Sequence, residues 1–173
     1  MSESFREFLR ALPDFPDVLP AFDPAAAPAD PAELFRQWLA EALEAGVPQP
    51  NACSLATADA QGRPSSRMLI LKDIDADGWH FATSRASRKG QELAVNPQAA
   101  LNFFWQPQGR QVRVAGDVVQ LSAAASAADW QARPGGDGTE NPVWQLYAVR
   151  PREIEFWQAR HDRRHIRHRY TSG

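Results

Sequence analysis

Ser87, Arg88 and Lys89 stand together in the segment "SRASRKGQEL", residues 84 to 93, at the start of a helix predicted over 87 to 95 and ended by "NP" at 96 and 97. Free N–H groups and the positive end of the helix dipole favour an anion at such a start. Two cations there oppose the helix by itself. A bound phosphate would remove that conflict, because arginine grips it as a fork while lysine adds a point charge. The other reading is that both side chains point into water. Of the 19 lysines and arginines only Lys72 and Lys89 are lysine, and Lys72 closes a second group. Arg67 and Lys72 bracket "MLIL" on a predicted strand, where residues five apart face opposite ways unless the strand ends or twists.

A third group is the carboxyl-terminal "RHDRRHIRHRY", residues 160 to 170. Metal ligation by His161, His165 and His168 is weakly supported, since no Cys or Glu lies nearby and the segment reads as extended. One short basic run in a chain of net charge -2 makes a weak case for nucleic acid. Strand alternation would place Arg163, His165 and Arg167 on one face, suited to an anionic or electron-rich small ligand. A solvated cationic surface is the plainer alternative.

These groups need a scaffold, and 173 residues with 43% hydrophobic content suit one globular domain. The chain has no stretch of about 18 apolar residues and no signal-peptide core, so neither a membrane nor export is expected and the cytoplasm is the default. The single Cys53, in "ACSLATA", is expected to be buried. Six of the 14 prolines fall within residues 1 to 31, so residues 1 to 30 read as an arm that either covers a surface or is disordered. From 31 to 173 one domain is expected. It opens with a helix capped by Asp30 and Pro31, carrying Phe35, Trp38, Leu39 and Leu43 at helical spacing up to Gly46. Strands then follow at "ACSLATA", "SRMLILKDI" and "WHFATS" as an antiparallel meander, and again at "AALNFFW" and "RQVRVAGDVVQLS". Gly116 within the last of these suggests a bulge. A helix entered through Ser122 and two final strands, "WQLYAVRPREIEFWQ" and "HIRHRY", complete a mainly β, α+β chain. Six or so strands in one small domain suggest an antiparallel barrel.

The order "RMLILK", "FATSRASRKGQEL", "RQVRVAG" and "IEFWQ" before an Arg-x-His-x-Arg run resembles the pyridoxamine 5'-phosphate oxidase family, over about residues 30 to 170. The resemblance implies a six-stranded FMN-binding split β-barrel with peripheral helices, active as a homodimer with FMN in clefts between the chains. By resemblance, Arg67, Met68, Leu69, Ile70, Leu71 and Lys72, with Ala82 and Thr83, line the flavin. Ser87, Arg88 and Lys89 match the phosphate-binding helix start, and Gln111, Trp144 and Arg167 match further flavin contacts. Arg163 and His165 match the pair beside the reacting carbon, while Lys72 and Arg133 match the cations on the substrate phosphate. The reaction implied is oxidation of pyridoxine or pyridoxamine 5'-phosphate to pyridoxal 5'-phosphate, with oxygen reoxidising FMN and giving hydrogen peroxide.

The sequence departs from the family between Arg133 and Trp144, where a longer helical segment is reduced to "PGGDGTENPV". A tyrosine and a serine that the family places on the substrate phosphate are replaced by Asp129 and Asp137, and two glycines by Gln145 and Leu146. A carboxylate facing a phosphate repels it unless protonated or turned away. These departures leave open an FMN enzyme acting on another small ring, or a protein that holds FMN or pyridoxal phosphate without turnover.

Overall fold

The computed structural model describes residues 4–135 and 137–172, so residues 1–3 of the expected arm and Gly136 of the shortened segment lie outside the described residues. The arm is ordered against the body. It opens with helix α1 (Phe5–Arg10), held by a capping box between Ser4 and Glu7, and later makes a single 3-10 turn at Pro24–Ala26. Between them the prolines keep the chain extended. Phe22 packs edge-on against Trp38 at 5.0 Å, and the Tyr170 hydroxyl donates to Pro28 O at 2.7 Å, so both ends of the chain are tied to the same surface.

Helix α2 (Pro31–Glu44) starts as its sequence predicts, with the Asp30 side chain accepting from Ala32 N and Pro31 at the first position. Its buried stripe is Leu34, Phe35, Trp38 and Ala42. Leu43 is 67% exposed, which corrects the expectation that it joins the stripe. At about 100° per residue, a stripe passing through Trp38 and Ala42 leaves the next position turned to water. Phe35 meets Trp79 at 4.6 Å and Phe103 at 4.8 Å, and Trp38 meets Phe156 at 5.2 Å, so the helix closes the core with aromatic edges.

Among the described residues, eight antiparallel strands form one sheet: β1 (Ala52–Ala58), β2 (Pro64–Ile70), β3 (Asp73–Asp75), β4 (Gly78–Ser84), β5 (Gln98–Trp105), β6 (Arg110–Gln120), β7 (Trp144–Gln158) and β8 (Ile166–Thr171). The order is β2-β1-β5-β6-β7-β4-β3, with β8 added to β7. Only Leu71 and Lys72 separate β2 from β3, yet these strands are the two ends of the order, so the sheet must curl until its ends are continuous. Counted as one bent strand, β2 and β3 with β1, β4, β5, β6 and β7 make the expected six-stranded barrel. β8 is the addition. Cys53, Leu55, Leu101, Val112, Val114 and Phe156 alternate inward and are fully buried.

The bulge expected at Gly116 is present: the β6–β7 register shifts between Ala115 and Gly116, opposite Arg150 to Glu153. A Cβ on Gly116 would lie 1.9 Å from Arg150 O, so only glycine allows the two backbones to approach. Helices α3 (Arg88–Val95) and α4 (Ala123–Gln131) start at Ser87 and Ser122, each of whose side chains caps the helix.

Candidate functional site

The first cationic group assembles at the start of α3. A Cβ on Gly90 would lie 2.6 Å from both Ser84 O and Arg85 O, so glycine lets the helix sit directly on the turn that leads into it. From β2, the Arg67 guanidinium donates to Thr57 and to Ser65 Oγ (2.6 Å), and reaches Glu92 Oε2 at 3.3 Å. Glu92 also accepts from the Thr57 and Ser65 hydroxyls and, through Oε1, from Arg88 Nε at 2.8 Å. These donors, Thr57 and Ser65 foremost, hold the buried Glu92 carboxyl at about 2. Lys89 is different: burial and the nearby Arg67 charge push its pKa down, and among the described residues no carboxylate forms an ion pair with it. Three cations and one carboxylate leave an excess of two positive charges. The Ser87 hydroxyl is engaged within the fold, donating to Ser84 O at 2.7 Å and accepting from Gly90 N. Thr83, buried on β4, lies 3.3 Å from it. This arrangement fits a phosphate dianion, which would relieve the Arg67–Lys89 repulsion and face the helix start.

A second group adjoins the first, because Ser84 pairs with Trp144 across β4 and β7. Lys72 lies just past β2, where Lys72 N donates to His80 O. Its Nζ is 3.2 Å from Asp129 Oδ1 on α4, and Asp129 Oδ2 accepts from Trp144 Nε1 at 2.8 Å. The Arg133 guanidinium lies over the Trp130 ring, 3.1 Å from its centroid, and 5.6 Å from that of Trp144. Lys72, Asp129, Arg133, Trp130 and Trp144 thus form one aromatic, charged corner. Trp130 and Trp144 also line a cleft of about 520 Å³ with Arg85, Ser126 and Gln145. Gln145 fastens α4 to β7 through Leu121 O and Ser126 Oγ. Asp137 makes no hydrogen bond to the corner among the described residues and feels it only through the nearby Arg133 charge. It is exposed and accepts from the backbone and hydroxyl of Thr139.

Arg67 and Lys72 therefore serve different groups, as their spacing requires. Along the strand between them, Leu69 and Leu71 turn inward while Met68 and Ile70 remain 66% and 42% exposed. Ala82, on β4, pairs with Leu146.

The third group lies at the other end of the 15-residue β7. Trp157 stands opposite Gln111 on β6 and opposite Arg167 on β8, so these residues share one row across the sheet. His165 packs on Trp157 with ring centroids 4.7 Å apart, and its Nδ1 accepts from Arg160 N at 3.1 Å. That bond places the neutral ring's proton on Nε2. The expected alternation through Arg163, His165 and Arg167 does not hold: β8 starts at Ile166, and Arg163 sits in the preceding turn with φ 61°, its side chain 3.8 Å from Asp14 of the arm. Only Arg167 has strand geometry. Among the described residues, the three carboxyl-terminal histidines form no metal-type cluster. The grouping of that kind is Asp73, Asp75 and His80, on one face of the β3–β4 hairpin, with His80 Nε2 2.8 Å from Asp75.

Sequence reasoning missed Glu92, Thr57 and Ser65. The Arg88–Glu92 spacing of four on a helix carried the signal for the first of these. Thr57 and Ser65 carried none, since a hydroxyl on a strand gives no hint of its cross-strand partner.

Comparison with known proteins follows the same residues. The profile described as "Pyridoxamine 5'-phosphate oxidase" matches residues 39–158, and that described as "Pyridoxine 5'-phosphate oxidase C-terminal dimerisation region" matches 144–173. The pyridoxine/pyridoxamine 5'-phosphate oxidase of Bordetella petrii is 41% identical, with 84% of each chain covered; that of Salinibacter ruber is 40% identical, with 82% of each covered. Among solved structures, PhzG from Burkholderia lata, in complex with tetrahydrophenazine-1-carboxylic acid, superposes with a TM-score of 0.84 at 31% identity, covering 91% of this chain and 93% of that one.

Proposed function

The chain belongs to the pyridoxamine 5'-phosphate oxidase family, and from that premise we propose that it is an FMN-dependent oxidase of a small ring substrate, working as a homodimer. The observation that carries the cofactor assignment is the cation cluster at the start of α3, where Arg67 and Arg88 share the one carboxylate of Glu92 and Lys89 has no ion pair among the described residues. Arg67, Arg88 and Lys89 would hold the FMN phosphate, and the strand from Arg67 to Lys72 with Ala82 and Thr83 would run along the flavin. When bound, FMN supplies the ring that accepts a hydride. The chain's own work is orientation and charge. His165, its Nδ1 occupied by the Arg160 N–H and its proton therefore on Nε2, can donate a hydrogen bond from Nε2 to a bound ring. Arg163 supplies a positive charge two residues away in the sequence.

Gln111, Arg163, His165 and Arg167 lie at one end of β7 and the phosphate seat at the other. A second copy bringing its far end of β7 to the first copy's seat would complete the site. The dimerisation region matched over 144–173, which contains β7 and β8, supports that reading.

For the substrate, the identity to pyridoxine/pyridoxamine 5'-phosphate oxidases supports oxidation of pyridoxine or pyridoxamine 5'-phosphate to pyridoxal 5'-phosphate, with oxygen as acceptor. A second reading, a ring without a phosphate ester, is favoured by the Lys72–Asp129 ion pair and agrees with the ring acid bound by PhzG. The test is anaerobic: FMN is titrated into the protein, then pyridoxine 5'-phosphate or a phosphate-free ring acid is added while the flavin's visible absorbance is followed. Bleaching that oxygen reverses establishes the oxidase. A protein that binds no FMN overturns the assignment.

A further inference from the structure

We propose that Asp129 is the specificity-determining residue of the ring corner, excluding phosphate monoesters and leaving the site to flat rings that carry at most one negative charge. The proposal takes the second of the two substrate readings above and rests on the FMN assignment for its location, while its own failure is read from ring binding and that of the assignment from FMN binding. Its ground is the geometry around Lys72. The Lys72 Nζ is 3.2 Å from Asp129 Oδ1, and the second carboxylate oxygen is tied to Trp144 Nε1 at 2.8 Å. Both oxygens are engaged, so the carboxylate cannot simply rotate away from an arriving anion. The side chains are 24% and 14% exposed, which places the pair where water screens it poorly. Arg133 is the other cation here, and its fork is committed in part to Trp130, stacking on the indole and donating from Nε to the backbone O at 3.1 Å. With Lys72 and Arg133 positive and Asp129 negative, these three leave at most one net positive charge, which the Asp137 carboxylate near Arg133 offsets further. A phosphate monoester dianion would have to displace Asp129 from Lys72 or stay beside it as a like charge. A neutral ring or monocarboxylate needs neither, and the Trp130 and Trp144 rings, packed on each other at 5.2 Å and 58°, leave an aromatic edge beside the pair.

The experiment compares pyridoxine with pyridoxine 5'-phosphate, ring for ring, in direct binding to the FMN-loaded protein, with FMN affinity measured separately for every variant. The variants are Asp129→Asn, which keeps an acceptor for Trp144 but removes the charge, Lys72→Ala, and the double variant. The expected result is that Asp129→Asn tightens pyridoxine 5'-phosphate at least tenfold, leaves pyridoxine within about threefold, and loses its gain when Lys72→Ala is added. Lys72→Ala alone should change phosphate binding little, because its charge is already neutralised. That arm also decides the matter if Asp129→Asn does not fold. A large loss of phosphate affinity in Lys72→Ala, or an unchanged preference in Asp129→Asn, overturns the proposal. Failure of the oxidase reading would show differently, as loss of FMN binding in the unmodified protein.

Discussion

Ser84 and Trp144 face each other in register across β4 and β7, so the turn entering the cationic helix start and the aromatic corner are built on one strand pair. The consequence is mechanical. Arg85 N, the next residue, donates to Val143 O at 2.8 Å, and Arg85 Nη2 donates to Pro142 O at 2.6 Å, so the end of the short connection at Pro142 and Val143 is clamped to the cationic helix start. A shortened connection can thus still deliver Trp144 beside Asp129 and Lys72.

Lys89 and Arg88 should differ in their effect on FMN. Arg88 already has Glu92 as a partner, whereas Lys89 has none among the described residues. A charge-assisted contact to phosphate is typically worth about 1.5–3 kcal/mol, or roughly 10- to 150-fold in affinity. Lys89→Ala should fall within that range in a fluorescence titration and Arg88→Ala should cost less. Equal small losses would remove the phosphate from this helix start.

The barrel, the three flanking helices and the capping serines were legible because they rest on local signals: period-two burial, helical spacing and hydroxyls before helix starts. The cationic helix start was legible as a cluster of types but not as a network, since Glu92 meets Arg67 through a contact spanning 25 residues. Asp129 shows the limit most clearly. Its identity announced a conflict with phosphate, yet only the fold shows that it is held by Trp144 and aimed at Lys72. The alternation expected through Arg163 failed for a local reason: a left-handed turn breaks it, and nothing in "RHDRRH" marks where the strand begins.

Glu92 should make stability fall in acid. Its folded value of about 2 lies below the ordinary carboxylate value of about 4.3 expected in the unfolded chain. A lowered folded value means that the stabilisation is fully present above about pH 4.3 and is lost as pH falls toward 2. In urea unfolding at a series of pH values, Glu92→Gln should lower the midpoint at neutral pH and flatten the profile between about pH 4.3 and 2. A profile parallel to that of the unmodified protein would show that Glu92 is not the group responsible.

Gly116→Ala should be costly without touching the site. Its Cβ would fall 1.9 Å from Arg150 O, a backbone atom that cannot move aside without breaking the β6–β7 ladder. A loss of about 3 kcal/mol, corresponding to roughly 6–12 °C in Tm for a chain of this size, is expected. A thermal midpoint within about 2 °C of the unmodified protein would mean that the bulge relaxes far more easily than its close approach suggests.

Mixing two impaired variants should restore activity at an FMN concentration that loads the unmodified seat but not the Lys89→Ala seat. Lys89 stands at the seat beside the start of β7 and His165 at its far end, so if each cleft draws its seat from one copy and its His165 from the other, the defects separate between clefts. In a dimer of one Lys89→Ala chain and one His165→Ala chain, one cleft carries both defects and the other carries neither. Random reassociation of equal amounts gives about half mixed dimers, hence about a quarter of all clefts intact. Turnover after unfolding and refolding the two variants together, compared with the same mixture left unexchanged, should therefore rise toward about 25% of the unmodified protein. If both residues instead served one cleft within the same chain, every cleft would keep one defect, and the refolded mixture would do no better than the average of its parents.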